Sequence, residues 1–282
     1  MVRIIVDSAS DMPEKLRKKH DVLMVPLQVT VGEKSFRDWT ELKPEELYDW
    51  INREPIIPVT SQPVTADWYD VLNGCRDRGE DVLIMTMSSA LSGTYSGAML
   101  AIKEYPEMNI EVCDCRTASL GNTLIAMQLI KKRDAGAGLE ELLVEFKQLN
   151  ARIHTYVVVG NMDMLKRGGR ISATSAILGN MLSIKPILIV NEEGKLEPLD
   201  KVRGWKKAHA FLAQRYTEFA EPGAPIAVAH AGNPDEMDRL AASILGEAPK
   251  VNILKVGIGA VIGSHVGPGT IAMVLFERKD YK

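Results

Sequence analysis

The chain has 282 residues, 46% of them apolar and 25% charged, a length that gives one large domain or two ordinary ones with full hydrophobic cores. Glycine (22) and proline (14) are near their average share, with no repeat period or low-complexity tract, which excludes fibrous and disordered classes. Thirty-four basic against 37 acidic side chains leave a net charge of −3, so no broad basic footprint for nucleic acid is present.

The N-terminus reads MVRIIVDSASD, with an acid at position 7 and no apolar stretch long enough for a signal peptide. No later apolar run approaches about 18 residues, so no membrane-spanning segment is expected. Three cysteines cannot build a disulfide framework, and the close pair Cys113 and Cys115 lacks zinc or redox spacing. A cytoplasmic location is the expectation.

Apolar, β-branched runs at 3–6, 23–25, 81–87 and 110–112 read as strands, and helix-like segments lie at 43–53, 65–78, 94–105 and 124–133. Strands alternating with helices predict a parallel sheet with helices on its faces. Short strands at 28–31 and 34–37 flank Gly32 and form a hairpin excursion from that pattern. After a helix at 139–150 the character changes. Strands at 155–159 and 186–190 are followed by the turn Glu192-Glu193-Gly194 into a strand at 195–199, an antiparallel hairpin. A helix at 205–219, a strand at 225–230, a helix at 234–245 and strands at 251–256 and 270–277 complete the chain. The expected fold class is α/β in two unlike parts: residues 1–152 with a mainly parallel sheet and flanking helices, and residues 153–282 with a mixed sheet.

Two hydroxyl-rich turns lie in the first part. Thr60-Ser61-Gln62-Pro63 precedes a helix, with Ser61 placed as its N-cap and Pro63 near the first helical position. Ser88-Ser89-Ala90-Leu91-Ser92-Gly93-Thr94 joins a parallel strand to the next helix, at the sheet edge where open α/β folds bind ligands. Capping needs one hydroxyl and this turn has four, which argues for an anion or carboxylate site. Neither a P-loop nor a G-x-S-x-G elbow is present.

In the second part, Leu165-Lys166-Arg167-Gly168-Gly169-Arg170 ends a short helix that Lys166 and Arg167 cap. It leaves Arg170 before an apolar stretch at 173–182, positioned to meet a carboxylate or phosphate. Arg203, at the end of the hairpin, is expected to face the same crevice. His265 lies in the glycine-bounded segment Gly263-Ser264-His265-Val266-Gly267-Pro268-Gly269, read as a turn between two strands. The preceding Gly257, Gly259 and Gly263 mimic a dinucleotide fingerprint, but Gly267-Pro268-Gly269 opposes the helix that must follow it. No histidine has a second ligand at metal spacing.

Taken in order, these segments resemble the DegV family. The matching stretches are Val6-Asp7-Ser8 with Ser10-Asp11, Val25-Pro26-Leu27, Asp38, Thr60-Ser61-Gln62-Pro63, and Ser88-Ser89 with Leu91-Ser92-Gly93-Thr94-Tyr95. Leu165-Lys166 with Gly168-Gly169-Arg170-Ile171, Ile184-Lys185-Pro186, and His265 with Gly267-Pro268-Gly269 continue the series nearly to the end of the chain. Asp114-Cys115 departs from the family's usual Asp-Ser. The resemblance implies a two-domain α/β fold that binds a long-chain fatty acid between its domains. It also implies a lipid-binding carrier without a catalytic site of its own. Such a carrier presents the carboxylate to the separate, ATP-using catalytic subunit of a bacterial fatty-acid kinase, and the acyl-phosphate serves phospholipid synthesis. By motif, Thr60, Ser61, Ser92, Gly93 and His265 would surround the carboxylate, and Arg170 and Arg203 would serve phosphotransfer or kinase docking. The fatty acid is the implied ligand; no cofactor, metal, nucleic-acid partner or stable membrane insertion is implied. An alternative is a small-substrate hydrolase or phosphotransfer enzyme using Ser92 or His265, and a ligand sensor or interaction module is a third.

Overall fold

A computed structural model of the chain describes residues 1–54, 56–171 and 183–279. Its first sheet is built on β1 (Val2–Asp7), whose six residues are all buried. β1 pairs in parallel with β2 (Leu23–Val25) and β6 (Asp81–Thr86), and β6 pairs in parallel with β7 (Ile110–Asp114), giving the order β2-β1-β6-β7. A central parallel strand is covered on both faces, which is why its sequence is continuously apolar and does not alternate. Val2, Ile4 and Val6 pack toward α5 (Leu120–Asp134), and Ile5 packs toward α3 (Thr65–Asp77) and α4 (Thr94–Ala101).

The hairpin β3 (Gln28–Val31) and β4 (Lys34–Arg37) forms as expected, with Gly32 at φ +61° in its turn. It gains a third strand, β5 (Val59–Ser61), antiparallel to β3. Thr60-Ser61 is therefore strand, and α3 has Val64 at its N-cap with no capping side chain, so Ser61 does not cap that helix. The three residues Val59-Thr60-Ser61, set between Pro58 and Gln62, are too short a run to announce a strand; pairing with Gln28–Thr30 makes one. The helix α1 (Glu14–Lys19), almost wholly charged, carries no apolar period and was invisible to patterning. α2 (Pro44–Arg53) follows the hairpin, and Glu46 accepts from the Lys43 N–H at 2.9 Å.

After α6 (Leu139–Asn150) the second sheet begins. β8 (Ile153–Val158), β9 (Ile184–Val190), β10 (Leu196–Arg203), β11 (Ile226–His230), β12 (Ile253–Gly257) and β13 (Ile271–Phe276) give the order β10-β9-β8-β13-β11-β12. All neighbours are antiparallel except β11 and β12, so the sheet is mixed, as its hairpin and α/β patterns require. One face packs on α8 (Trp205–Phe219) and α9 (Pro234–Glu247). The other presents Val157, Leu188, Ala227, Ala272 and Val274 to α5.

Helix α5 thus lies between the two sheets, and its first seven residues are all buried. A helix covered on every side has no polar stripe, which explains why only residues 124–133 showed helical character in the sequence. Both sheets feed one continuous apolar cluster through it.

Candidate functional site

The turn after β6 begins where Met87 and Ser88 emerge at the carboxyl edge of the parallel sheet. Its four hydroxyls divide into two pairs. Ser88 donates to the Gly194 carbonyl at 2.8 Å, tying the first part of the chain to the β9–β10 turn. Ser89 donates to Asp114 at 2.5 Å, and its N–H donates to the same carboxylate at 3.1 Å. Those two are structural, so the excess of hydroxyls does not by itself mark an anion site. Ser92 and Thr94 remain, with their hydroxyl oxygens 2.9 Å apart, and the Thr94 N–H donates to Ser92 at 3.3 Å. Gly93, at the N-cap of α4, lets the Gln62 side chain lie over the helix start, since a Cβ there would collide with the Gln62 amide oxygen.

His265 is not in a turn between strands. It belongs to α10 (Ala260–Val266), a seven-residue helix that starts from Gly259 and ends where Gly267 takes φ +74°. Gly267-Pro268-Gly269 stops this helix after two turns and does not prevent it. The dinucleotide reading still fails, because the first N–H groups of the helix are taken by carboxylates of the chain itself. Gly259 N–H donates to Asp11 at 2.8 Å and Ala260 N–H to Asp38 at 3.1 Å. A pyrophosphate-binding turn leaves those groups open.

Asp11 also accepts from the Trp39 indole at 3.3 Å and from the Ser119 hydroxyl. All three of these residues hold positive φ (53°, 63° and 54°) without being glycine, a cost that the bonds among them offset. Asp7 accepts from the Met87 N–H at 2.6 Å. Asp7, Asp11 and Asp38 are fully buried. Burial pushes Asp7 and Asp11 up to about 7 and Asp38 up to about 8, and the neighbouring Asp11 charge adds to the rise at Asp7 and Asp38. Tyr48 completes the anchorage: its hydroxyl donates to the Ile258 carbonyl at 2.7 Å, and its ring fills space left by Gly263 and Gly232. Patterning assigned no role to Asp7, Asp11, Asp38 or Tyr48. The acids fall within the resembling stretches, which was the one available signal.

Anchored this way, α10 brings His265 to β5, where its Nε2 lies 2.8 Å from Thr60 Oγ1 across 205 residues of sequence. Burial, with Arg170 close by, pushes the imidazole down to about 4, so it is neutral at neutral pH. Ser92 is bonded to Thr94 and not to His265, an arrangement without the nucleophile–base contact that activates a serine.

A cavity of about 140 Å³ opens beside these groups. Thr60, Ser61, Gln62, Ser92, Gly93, Arg170 and His265 line it at its polar side. The remaining wall is almost wholly apolar and comes from both parts of the chain: Met87, Leu91 and Leu120 from one, Val157, Leu196 and Val274 from the other. A second cleft of about 320 Å³ meets it at Thr60, Arg170 and His265 and adds Asn161 and Arg167. Arg170 donates from Nε to the Leu91 carbonyl at 3.3 Å and from Nη1 to the Gly168 carbonyl at 2.5 Å, bridging the arginine loop to the hydroxyl turn. Arg203 is not among the described residues that line the cavity or the cleft. It ends β10 opposite Ile184, whereas Leu196 at the other end of the same strand lines the cavity. Seven residues of strand, at about 3.3 Å each, separate the two by roughly 20 Å. The apolar stretch 173–182 lies outside the described residues.

Among the described residues, no group of three or more His, Cys, Asp and Glu side chains is placed to hold a metal ion. Nor is any helix long and apolar enough to cross a membrane.

The model of an uncharacterised protein family, DegV, matches residues 1–278. A DegV domain-containing protein of Caldanaerobacter subterraneus is 33% identical over 282 residues, covering 99% of both chains. In structure, a DegV-family protein from Thermus thermophilus, described in terms of its fatty acid binding, superposes with a TM-score of 0.90 at 33% identity, over 98% of this chain and 99% of that one. DegV from Bacillus subtilis, described as a fatty acid binding protein, gives a TM-score of 0.87 at 28% identity, over 98% and 99%. A family model that matches nearly the whole length, with relatives that align and superpose over the same span, leaves one assignment: this chain belongs to the DegV family.

Proposed function

We propose that this protein is a carrier that binds a long-chain fatty acid between parts 1–152 and 153–282. It presents the carboxylate to a separate ATP-dependent fatty-acid kinase, and the resulting acyl-phosphate serves lipid synthesis. The observation that carries this reading is the cavity itself. Its wall is apolar and drawn from both sheets, and its polar side gathers Thr60, Ser92 and His265. A carboxylate taken out of water needs several donors, which the two hydroxyls and the start of α4 supply. Relatives described as binding fatty acids share the fold over almost their full length.

Acyl burial dominates the affinity. For a sixteen-carbon acid, about 14 methylenes at about 0.8 kcal/mol each set an upper bound near 11 kcal/mol. An efficiency of about 0.3 kcal/mol per heavy atom sets a lower one of roughly 5 kcal/mol. The head group then selects acids over esters. Gln62 closes over Gly93 at the same end. The second cleft, which meets the cavity at Thr60, Arg170 and His265, is the route by which a kinase reaches the carboxylate, with Arg170 at the junction. Arg203, distant from the cavity, belongs to kinase docking in this reading.

Native mass spectrometry of protein purified without detergent is expected to show one long-chain fatty acid per chain, and a cognate kinase with ATP to phosphorylate it. Protein that carries no acid, and takes up none when palmitate is added, overturns the proposal.

A further inference from the structure

His265 packs against the arginine loop as well as against Thr60. The helix α7 (Met162–Gly168) is capped by the Asn161 side chain, which accepts from the Asp163 N–H at 3.0 Å. It ends at Gly168, on the edge of the imidazole. A Cβ on Gly168 would collide with Nδ1 and lie 3.3 Å from Cε1 and 3.4 Å from Cγ. The same seam is bare at its other end. A Cβ on Gly267 would fall 2.8 Å from the Asn161 Cβ and 2.9 Å from the Met164 sulfur. The two short helices approach closely because glycine stands wherever they meet.

This contact has a chemical consequence for the ring. Nδ1 is buried and has no hydrogen-bond partner among the described residues, while Nε2 faces Thr60 Oγ1 at 2.8 Å. A neutral imidazole carries its one proton on one nitrogen or the other. On Nδ1 that proton would point at the Gly168 backbone with no acceptor, and a buried N–H without an acceptor costs more than a bare lone pair. On Nε2 it is donated to Thr60 Oγ1, and the hydrogen of the Thr60 hydroxyl is released for another acceptor.

We infer that Gly168 is a positioning residue: its bare α-carbon against Nδ1 fixes His265 as the Nε2–H tautomer, which turns Thr60 into a hydroxyl that donates into the cavity. The inference rests on the fatty-acid reading and deepens it, because His265 then acts on the ligand carboxylate through Thr60. Gly168 does not touch the ligand; it sets the direction of a donor that does.

Nitrogen-15 NMR of the imidazoles in the full-length, ligand-free protein at neutral pH reads the tautomer directly. A pyridine-type Nδ1 and a pyrrole-type Nε2 on His265 are expected; the reverse pattern overturns the inference without need of any variant. Gly168→Ala is compatible with a helical backbone and is expected to remain folded, lose the single-tautomer signature and weaken palmitate binding about tenfold. An alanine variant with the wild-type tautomer and affinity also overturns it. Should wild-type protein show the Nε2–H form, lost in the variant, yet bind no palmitate, the positioning role stands and the fatty-acid reading falls.

Discussion

The buried acids make the stability of this protein pH-dependent in a direction opposite to that of ordinary surface carboxylates. Asp38 is fully buried and is pushed from 3.8 to about 8. Between those values the folded chain keeps a proton that the unfolded chain has released, so stability falls as pH rises; above about pH 8 the cost of the buried charge is fully present. Asn in its place retains an oxygen for the Ala260 N–H, now bonded at 3.1 Å, and carries no charge at any pH. Linkage for one such group gives about 1.5 kcal/mol lost between roughly pH 6.5 and pH 8. That window avoids the opposite contribution from His265, whose depressed value of about 4 removes stability as pH falls below the range of a free imidazole. Urea unfolding of wild type and Asp38→Asn at the two ends of the window is the assay. The variant is expected to have the flatter profile, by about that amount. Parallel profiles for the two proteins would show that Asp38 is ionised at neutral pH in the folded chain and would refute the reasoning.

Three further outcomes are expected. Ser92→Ala removes a hydroxyl at the polar side of the cavity and should weaken fatty-acid binding by about 1.5–3 kcal/mol, the worth of a hydrogen bond to a charged group; titration calorimetry with palmitate measures it, and unchanged affinity places the carboxylate elsewhere. Arg203→Ala should leave that affinity unchanged and lower phosphorylation by a cognate kinase, since Arg203 lies at the far end of β10 from Leu196; lost binding would contradict this division. Tyr48→Phe leaves the buried Ile258 carbonyl without the donor it now has at 2.7 Å and should destabilise by about 1–3 kcal/mol in thermal unfolding.

Much of the fold was legible because its elements announce themselves locally. The hairpin Gln28–Val31 and Lys34–Arg37, the helices Leu139–Asn150 and Trp205–Phe219, and the strand Leu23–Val25 have the expected bounds. Where burial is total the period vanishes, and so the first turn of α5 was not seen. Where an element is too short to show a period, as in α1, β5 and α10, pairing or packing from elsewhere decides it. The site divides the same way. Thr60, Ser92, Arg170 and His265 stand out by residue type and by the family resemblance, and all four line one cavity. Ser88 and Ser89 had the same appearance in sequence but are spent on Gly194 and Asp114.

By itself the sequence determined the α/β alternation, the change to a mixed sheet after residue 152 and the resemblance to the family. These depend on local periodicity and on motifs read within a few residues. Only the tertiary structure decided that α5 lies between both sheets, that Ser88 and Ser89 are tied to Gly194 and Asp114, and that α10 hangs on Asp11 and Asp38. Those last bonds join residues 248 and 222 positions apart. Nothing within a local window records a partner at that distance, because which buried carboxylate meets which N–H depends on the packing of two sheets around a shared helix.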